Sequence, residues 1–128
     1  MQFIIHYGMH FLLPALISVA FFKKNWKKAY LIMLATMLVD LDHLLSSPIY
    51  QADRCSIGFH PLHTYYAIIS YGIMIFFRKP FNIIGVGLLL HMSTDLTDCL
   101  ITYSSCKECL ADAPSLELIK FIFQVINT

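Results

Sequence analysis

Apolar and polar positions are arranged in long blocks along this chain. Four apolar runs, separated by polar segments, can be read directly: Phe3–Phe22, Ala29–Leu45, Leu62–Phe77 and Phe81–Tyr103. A helix of about 20 residues at ~1.5 Å per residue covers the ~30 Å hydrocarbon core of a bilayer. The pattern therefore predicts an all-α protein, an integral membrane bundle of four transmembrane helices that forms a single membrane-embedded helical domain over residues 1–128.

A fifth apolar segment, Leu116–Ile126, is too short to span a membrane. We expect it to form a short C-terminal helix, either an interfacial helix or one that packs on the bundle. The first run has an alternative reading as a cleaved signal peptide, because residues 18–20 resemble a cleavage site. No basic segment precedes that run, and Lys23 and Lys24 follow it directly, which favours a retained helix.

Composition supports the membrane interpretation. Hydrophobic residues make up 58% of the chain, charged residues only 13%, and the mean hydropathy is +0.66. In soluble domains, hydrophobic residues average about 45–50% and charged residues ~25%. These values exclude a disordered chain, a coiled coil and an ordinary soluble enzyme. The net charge of +1 gives no indication of nucleic-acid binding.

The charges are distributed unevenly between the two ends of the predicted hairpins. One end carries six of the nine basic residues, namely Lys23, Lys24, Lys27, Lys28, Arg78 and Lys79, while all eight acidic residues belong to the other end. The positive-inside rule places the lysine-rich loops in the cytoplasm. We therefore expect a multi-pass protein of a bacterial inner (plasma) membrane, with its polar end on the extracytoplasmic face.

The cysteines are also expected at that polar end. Cys55, Cys99, Cys106 and Cys109 could form two disulfides in an oxidising compartment, with three connectivities open. Cys106 and Cys109 could instead form a zinc or redox pair, and free or structural thiols are a further reading.

Histidine and aspartate form four clusters, which the hairpin order brings to one level of the bundle. They are His6 and His10; Asp40, Asp42 and His43; His60 and His63; and His91, Asp95 and Asp98. Polar groups of this kind are costly inside a membrane and normally have partners there. Imidazole and carboxylate are ligands for zinc, manganese and iron. Each cluster alone could be a packing pair, but ten such groups at one level favour a metal site.

We predict a divalent metal, zinc in the first place and manganese or iron as alternatives, in unknown number. The predicted metal ligands are His6, His10, Asp42, His43, His60, His63, His91 and Asp95. Asp40 and Asp98 are the predicted catalytic residues, because a carboxylate that is not needed for coordination can accept a proton. Arg54 could pair with a phosphate or be a solvated loop residue.

The stretch Arg54-Cys55-Ser56-Ile57-Gly58-Phe59-His60 resembles an uncharacterised subfamily of the small bacterial membrane-bound metal-dependent hydrolases. Three segments of the chain resemble that group as a whole. They are Val39-Asp40-Leu41-Asp42-His43, Gly58-Phe59-His60-Pro61-Leu62-His63-Thr64 and His91-Met92-Ser93-Thr94-Asp95. The group is distantly similar to zinc-dependent phospholipase C. Asp42, His43, His63, His91 and Asp95 match its pattern best, and either His6 or His10 matches its N-terminal histidine. His60 and His63 are three residues apart, whereas the relatives have four.

The resemblance implies a membrane-bound metal-dependent hydrolase, acting on phosphoester bonds of lipid-like substrates. Membrane lipids are the implied surroundings, nucleic acid is not a partner, and a homo-oligomer is compatible with so small a bundle. A non-catalytic metal-binding scaffold and an ion or proton carrier remain alternatives. The lysine-side halves of the helices lack His, Asp and Glu, which argues against a polar path through the membrane.

Overall fold

The protein is mainly helical in the part of the chain that the computed structural model describes, which is residues 2–49, 51 and 54–128. Five α-helices are present in this part: α1 (Gln2–Phe22), α2 (Trp26–Ala35), α3 (Tyr65–Met74), α4 (Phe81–Ser105) and α5 (Leu116–Ile126). No strand occurs among these residues. The all-α class predicted from the apolar runs is confirmed.

Two predicted runs differ from the helices that form. The second helix begins at Trp26 and changes at Thr36 into a 3₁₀-helix, Thr36–Leu45. The third, predicted over Leu62–Phe77, is only ten residues long, because the Thr64 side chain caps its N-terminus and turns follow Met74. Extended backbone at Thr64 separates it from the preceding 3₁₀ turn.

Length and composition qualify two stretches to cross a membrane, Gln2–Leu45 and Phe81–Ser105, whereas α3 is shorter. Of the four predicted spans, only two helical stretches in the described part of the chain are therefore long and apolar enough to cross a membrane. The first stretch reverses direction at the turn Lys23–Asn25, where Lys23 has a φ of 32°. Helix α1 consequently packs back against α2.

Helix α4 is the centre of the bundle and contacts α1, α2, α3 and α5. Two of its glycines allow close approach. A Cβ on Gly85 would lie 2.8 Å from the Tyr71 carbonyl oxygen, and one on Gly87 would lie 2.8 Å from Thr36 Oγ1. Because no side chain fills these positions, α3 and α2 can pack directly on the α4 backbone.

The inward and outward faces of α1 reverse the usual pattern of a soluble helix. His10, Pro14 and Ser18, spaced four residues apart, are its buried residues. Large apolar side chains such as Ile4 and Leu12 are 75% and 62% exposed. A helix that turns its polar stripe inward and its apolar side chains outward is suited to an apolar solvent.

The cysteines form two disulfides, Cys55–Cys99 and Cys106–Cys109. This selects one of the three connectivities left open by the sequence and leaves neither pair as free thiols. The first disulfide joins residues 44 positions apart and attaches the long loop after Leu45 to α4. Both of its cysteines are 3% exposed, and they belong to an apolar core that also includes Ile57 and Leu110.

Candidate metal centre

The candidate metal centre is built around four side chains from three separate segments of the chain. Asp40 comes from the 3₁₀-helix after α2, His63 from the turn before α3, and His91 and Asp95 from consecutive turns of α4. Each offers one donor atom, and the four atoms all lie within 4.8 Å of one another. These residues, Asp40, His63, His91 and Asp95, are called the four-ligand set below.

Distances within the four-ligand set suit a small divalent cation. His91 Nε2 lies 3.0 Å from Asp40 Oδ1, and His63 Nε2 lies 3.1 Å from Asp95 Oδ2. The pairs His63–Asp40 and His91–Asp95 are each 3.5 Å apart. Donor atoms at ~2.0–2.2 Å from a tetrahedral ion would lie about 3.3–3.6 Å from each other. The set is therefore close to the size that zinc requires.

Two donor atoms of the set are buried without a hydrogen bond of good geometry among the described residues. These atoms are His63 Nε2 and Asp95 Oδ2. The two atoms lie 3.1 Å from each other without a well-aligned hydrogen bond, which is costly for buried polar atoms, and a bound cation would engage both at once. The donor set, its spacing and these two atoms together fit a divalent metal.

Asp42 fixes the orientation of His63. Its Oδ2 atom accepts a hydrogen bond from His63 Nδ1, at 3.1 Å, and another from the Leu62 backbone N–H, at 2.8 Å. With its proton on Nδ1, the imidazole directs the Nε2 lone pair toward the four-ligand set. Carboxylates that hold a ligating histidine in this way orient the ring and raise its basicity.

The 3₁₀ geometry of Thr36–Leu45 explains why Asp40 and Asp42, two residues apart, contact different parts of the site. Residues three apart share a face in a 3₁₀-helix, and Thr36, Val39 and Asp42 are the buried residues of this segment. Asp40 lies on another face, where its side chain is 43% exposed. Asp42 thus contacts His63 from the buried face of the 3₁₀-helix, while Asp40 joins the four-ligand set from a partly exposed face.

A second group of donors adjoins the first and consists of Asp42, His43 and His60, whose donor atoms also lie within 4.8 Å of one another. His43 Nδ1 is 3.2 Å from Asp42 Oδ1, and the His43 and His60 rings stack with their centroids 3.8 Å apart. Burial, together with the neighbouring His43, lowers the pKa of the His60 imidazole to about 4. His60 is therefore neutral near pH 7, the state in which imidazole binds metals.

His6 and Asp98 form a pair beside the four-ligand set rather than part of it. His6 Nδ1 contacts Asp98 Oδ2 across the gap between α1 and α4. The other oxygen of this carboxylate, Oδ1, is buried and has no hydrogen bond among the described residues. Asp98 therefore has one oxygen engaged by imidazole and one oxygen free.

His10 lies deeper in the bundle than the two donor groups. Its ring centroid is 4.6 Å from that of His91 and 4.4 Å from that of His6. His10 Nε2 and His91 Nδ1 are both buried without hydrogen-bond partners in the described part of the chain. The predicted roles of His6 and His10 as ligands stay predictions, since neither belongs to a compact donor group.

A cavity of about 410 Å³ opens next to both donor groups. Asp40, His43, Asp95 and Asp98 contribute to its wall, so the carboxylates of the centre face an open space. Gln2 and Thr102, two residues that sequence reasoning missed, also line it and bond to each other at 3.2 Å. A small polar group could enter here and reach both Asp95 and Asp98.

Arg54 lines the same cavity, and its guanidinium bonds to the segment of the loop that directly follows Leu45. It donates to the carbonyl oxygens of Pro48 and Ile49, at 3.0 and 3.1 Å, and to Ser46 Oγ at 3.0 Å. Its plane also lies over the Phe59 ring, 4.6 Å from the centroid. These contacts give Arg54 a structural role that the sequence did not suggest.

Ser56 is another residue that sequence reasoning missed. Its Oγ lies 3.2 Å from His43 Nε2, so the hydroxyl and Asp42 together hold the His43 ring from both sides. No periodic pattern in the loop distinguishes this serine from its neighbours. A signal that the sequence offered was its position four residues before His60.

The chain belongs to a family of unknown function (DUF6122), whose family model matches residues 1–102. The match includes every residue of both donor groups and the Cys55–Cys99 disulfide, and it ends before Cys106 and α5. No curated protein and no solved structure matches the chain.

Proposed function

We propose that this protein is a membrane-bound metal-dependent hydrolase that acts on phosphoester bonds of lipid-like substrates. The observation that carries the proposal is the convergence of four His and Asp donor atoms, at ion-sized spacing, beside a polar cavity. The four-ligand set would hold a divalent ion, with zinc as the first candidate. Asp42, His43 and His60 would hold a second one.

The exposed surface of the bundle supports a membrane location. Side chains such as Phe3, Leu16, Ile69 and Phe76 are between 59% and 88% exposed, while His63 and His91 are at most 2% exposed. Large apolar patches of this kind are rare on soluble monomers. In a bilayer, the same arrangement keeps apolar side chains in lipid and ionisable ones in the interior.

Four passes and a fixed orientation complete this proposal. Helix α1, α2 with its 3₁₀ continuation, α3 and α4 would be the four spans, and α5 would lie along the interface. The turns that contain Lys23 and Lys79 lie at the end opposite the donor groups. Under the positive-inside rule, that end faces the cytoplasm and the metal centre faces outward.

A divalent ion held by the donor groups supplies Lewis-acid chemistry at a phosphoryl oxygen. The chain itself contributes the surroundings and the proton acceptor. Asp98 belongs to neither donor group, lines the cavity and has a free buried oxygen, so we assign it as the group that takes the proton from the attacking water. His6, bound to its other oxygen, is a positioning residue for that carboxylate.

Metal content and hydrolysis test the proposal together. Wild-type protein, purified in detergent without chelators, is expected to hold one or two equivalents of metal and to hydrolyse a chromogenic phosphodiester or a phospholipid in mixed micelles. His91→Ala combined with Asp42→Ala is expected to lose both properties. Ser18→Ala, which changes a buried polar residue on α1, is the control and keeps both.

Asp98→Asn separates catalysis from metal binding. Removal of a general base typically costs ~10²–10⁴-fold in rate, so kcat is expected to fall by that order while metal content stays the same. Loss of metal in Asp98→Asn would contradict the assigned role. Wild-type protein without metal would overturn the proposal itself.

A non-catalytic metal-binding protein is the second candidate, and one observation favours it. The four-ligand set already provides the four donors of a closed tetrahedral shell, which is typical of structural zinc sites. This candidate predicts full metal occupancy with no hydrolysis. It also predicts that Asp40→Ala, which opens one position on the cavity side, destabilises the bundle.

A further inference from the structure

An apolar groove of about 890 Å³ runs along the bundle on a side that the metal centre does not use. It lies between α2 and α3, with α4 as its floor. Helix α3 packs on α4 at Gly85, and α2 packs on α4 at Gly87, but α2 and α3 remain apart along this face. The small side chain of Ala35, which is exposed, helps to keep the groove open.

The two ends of the groove differ in chemistry. At one end, Lys28 and Lys79 are in its wall, and the Lys79 ammonium is held 5.6 Å from the Phe22 ring centroid. At the other end, the Tyr71 hydroxyl donates to the Leu62 carbonyl at 2.9 Å, so its proton is already engaged. Among the residues that the structure describes, none that lines the groove is acidic. Its chemistry fits a molecule with an anionic head and one long apolar tail.

The groove also has the dimensions of a lipid tail. Along α2 and its continuation, the wall extends from Lys28 to Val39, roughly 16–19 Å at the rise per residue of α- and 3₁₀-helices. Its volume falls in the range of ~300–1,000 Å³ that is usual for small-molecule sites. A single extended acyl chain can occupy such a slot.

A second copy of this chain is a poorer occupant. The acidic residues that the structure describes lie in three places. Asp40, Asp42 and Asp95 belong to the donor groups, Asp98 lies beside them, and Glu108, Asp112 and Glu117 lie in the segment after α4. A parallel copy in the same membrane would therefore bring no negative charge to Lys28 and Lys79. An anionic lipid of the same leaflet would bring one.

We propose that this groove is a binding site for one acyl chain of an anionic glycerophospholipid, with its phosphate between Lys28 and Lys79. The site is separate from the metal centre, and the inference rests on the membrane location but not on hydrolysis. Under the topology proposed above, the lipid comes from the cytoplasmic leaflet.

Trp26 provides a probe that the protein already contains. It is the only tryptophan in the chain and begins α2, one helical turn from residues that line the groove. Wild-type protein is reconstituted in phosphatidylcholine vesicles that contain increasing fractions of a phospholipid brominated in its acyl chain. The brominated lipid is either phosphatidylglycerol or phosphatidylcholine, and Trp26 quenching gives its relative affinity.

Anionic brominated lipid is expected to bind on the order of tenfold more tightly than zwitterionic brominated lipid, given two lysines at the head-group position. Lys28→Gln with Lys79→Gln is expected to abolish this preference. Ala35→Phe, which fills the groove at an exposed position, is expected to reduce quenching by the anionic lipid to that of the zwitterionic one.

Lys24→Gln with Arg78→Gln is the matched control, because it removes the same charge from the same end without altering the groove wall. It is expected to retain most of the preference. Equal affinity of wild-type protein for the two lipids would overturn the proposal. A preference for the anionic lipid that survives both in Lys28→Gln with Lys79→Gln and in Ala35→Phe would overturn it as well. If a second copy of the chain fills the groove, neither lipid quenches Trp26, and the protein is a dimer that Ala35→Phe dissociates. That result also overturns the proposal. Helix content by circular dichroism verifies that each variant folds.

Discussion

The two ends of this bundle are held together by different forces. At the metal-centre end, polar side chains from three segments meet in the interior, where His63 contacts Asp42 and His43 contacts Ser56, and the Cys55–Cys99 disulfide ties the loop to α4. At the basic end, the helices contact one another through small residues such as Gly85 and Gly87. The lysines there stay at the surface and do not enter the core.

This difference teaches how an apolar chain can carry a polar site. Close helix packing needs no polar groups, so one half of the bundle can be stabilised by van der Waals contacts alone. That half supports the other, where the buried His and Asp donors could hold a metal ion. Changes at the two ends should therefore have separable effects on stability and on metal binding.

The largest expected effect on stability comes from the disulfide at the metal-centre end. Cys55→Ser with Cys99→Ser opens a loop of 44 residues and is expected to lower the free energy of unfolding by about 2–4 kcal/mol. The loop carries His60 and His63, so metal content should fall as well. Unfolding in mixed detergent micelles and metal analysis measure the two effects.

Cys106→Ser with Cys109→Ser is the matched control for this change. These cysteines are three residues apart, so their loop is short and its closure entropy is small. We expect metal content to stay the same and stability to change much less than for the first pair. Equal losses in the two variants would contradict the structural role assigned to Cys55 and Cys99.

At the basic half of the bundle, Gly85→Ala tests close packing. The new Cβ would lie 2.8 Å from the Tyr71 carbonyl oxygen and 2.9 Å from Met74 Cβ, so α3 must move away from α4. Overpacking of this kind costs about 1–3 kcal/mol. The free energy of unfolding is the measurement, and a variant as stable as wild type would argue against the packing described.

Gly72→Ala serves as its control, since a Cβ at Gly72 has nothing within 4 Å. Replacement of glycine by alanine in a helix is favourable by up to ~1 kcal/mol. The two substitutions are chemically identical, so opposite signs of their effects would be due to the surroundings alone.

Asp42→Asn tests the support given to His63. Loss of the carboxylate partner of a ligating histidine typically weakens metal binding by ~10–100-fold, and we expect this reduction for the ion in the four-ligand set. Competition with a chelator of known affinity measures it. Asp98→Asn, outside both donor groups, is expected to leave this affinity unchanged.

The smallest expected effect belongs to the N-terminus of α3. The Thr64 hydroxyl accepts a hydrogen bond from the Ala67 N–H at 3.4 Å. Thr64→Ala removes this cap and is expected to cost about 1 kcal/mol of unfolding free energy. Thr64→Ser keeps a hydroxyl and should behave like wild type. If Thr64→Ala loses bound metal while its free energy of unfolding stays within about 1 kcal/mol of wild type, Thr64 also positions His63.

Much of the fold was predictable from the sequence because apolar runs and polar interruptions have a direct physical meaning. Runs of apolar residues gave the helices, and α5 has the predicted bounds. The bounds of α3 were wrong because hydropathy does not register a cap or a turn. The 3₁₀ geometry after α2 was also missed, since a three-residue and a 3.6-residue period are hard to separate over ten residues.

The candidate site was predictable only as a set of residue types. Hairpin order indicated that the four His and Asp clusters share one level, and donors from three of them form the four-ligand set. It did not indicate that His60 and His63 belong to different donor groups, nor that Asp98 pairs with His6. Those outcomes depend on rotations of helices and on loop paths, which no periodicity encodes.

The sequence by itself determined the class of fold, the uneven distribution of charge and the kinds of donor available, because each follows from composition and order along the chain. Tertiary structure alone decided which cysteines pair, which aspartate reaches which histidine, and where α2 and α3 leave a groove open. The physical reason is that these features depend on distances of a few ångströms between segments far apart in the chain. Such distances are set by packing, and a one-dimensional pattern does not contain them.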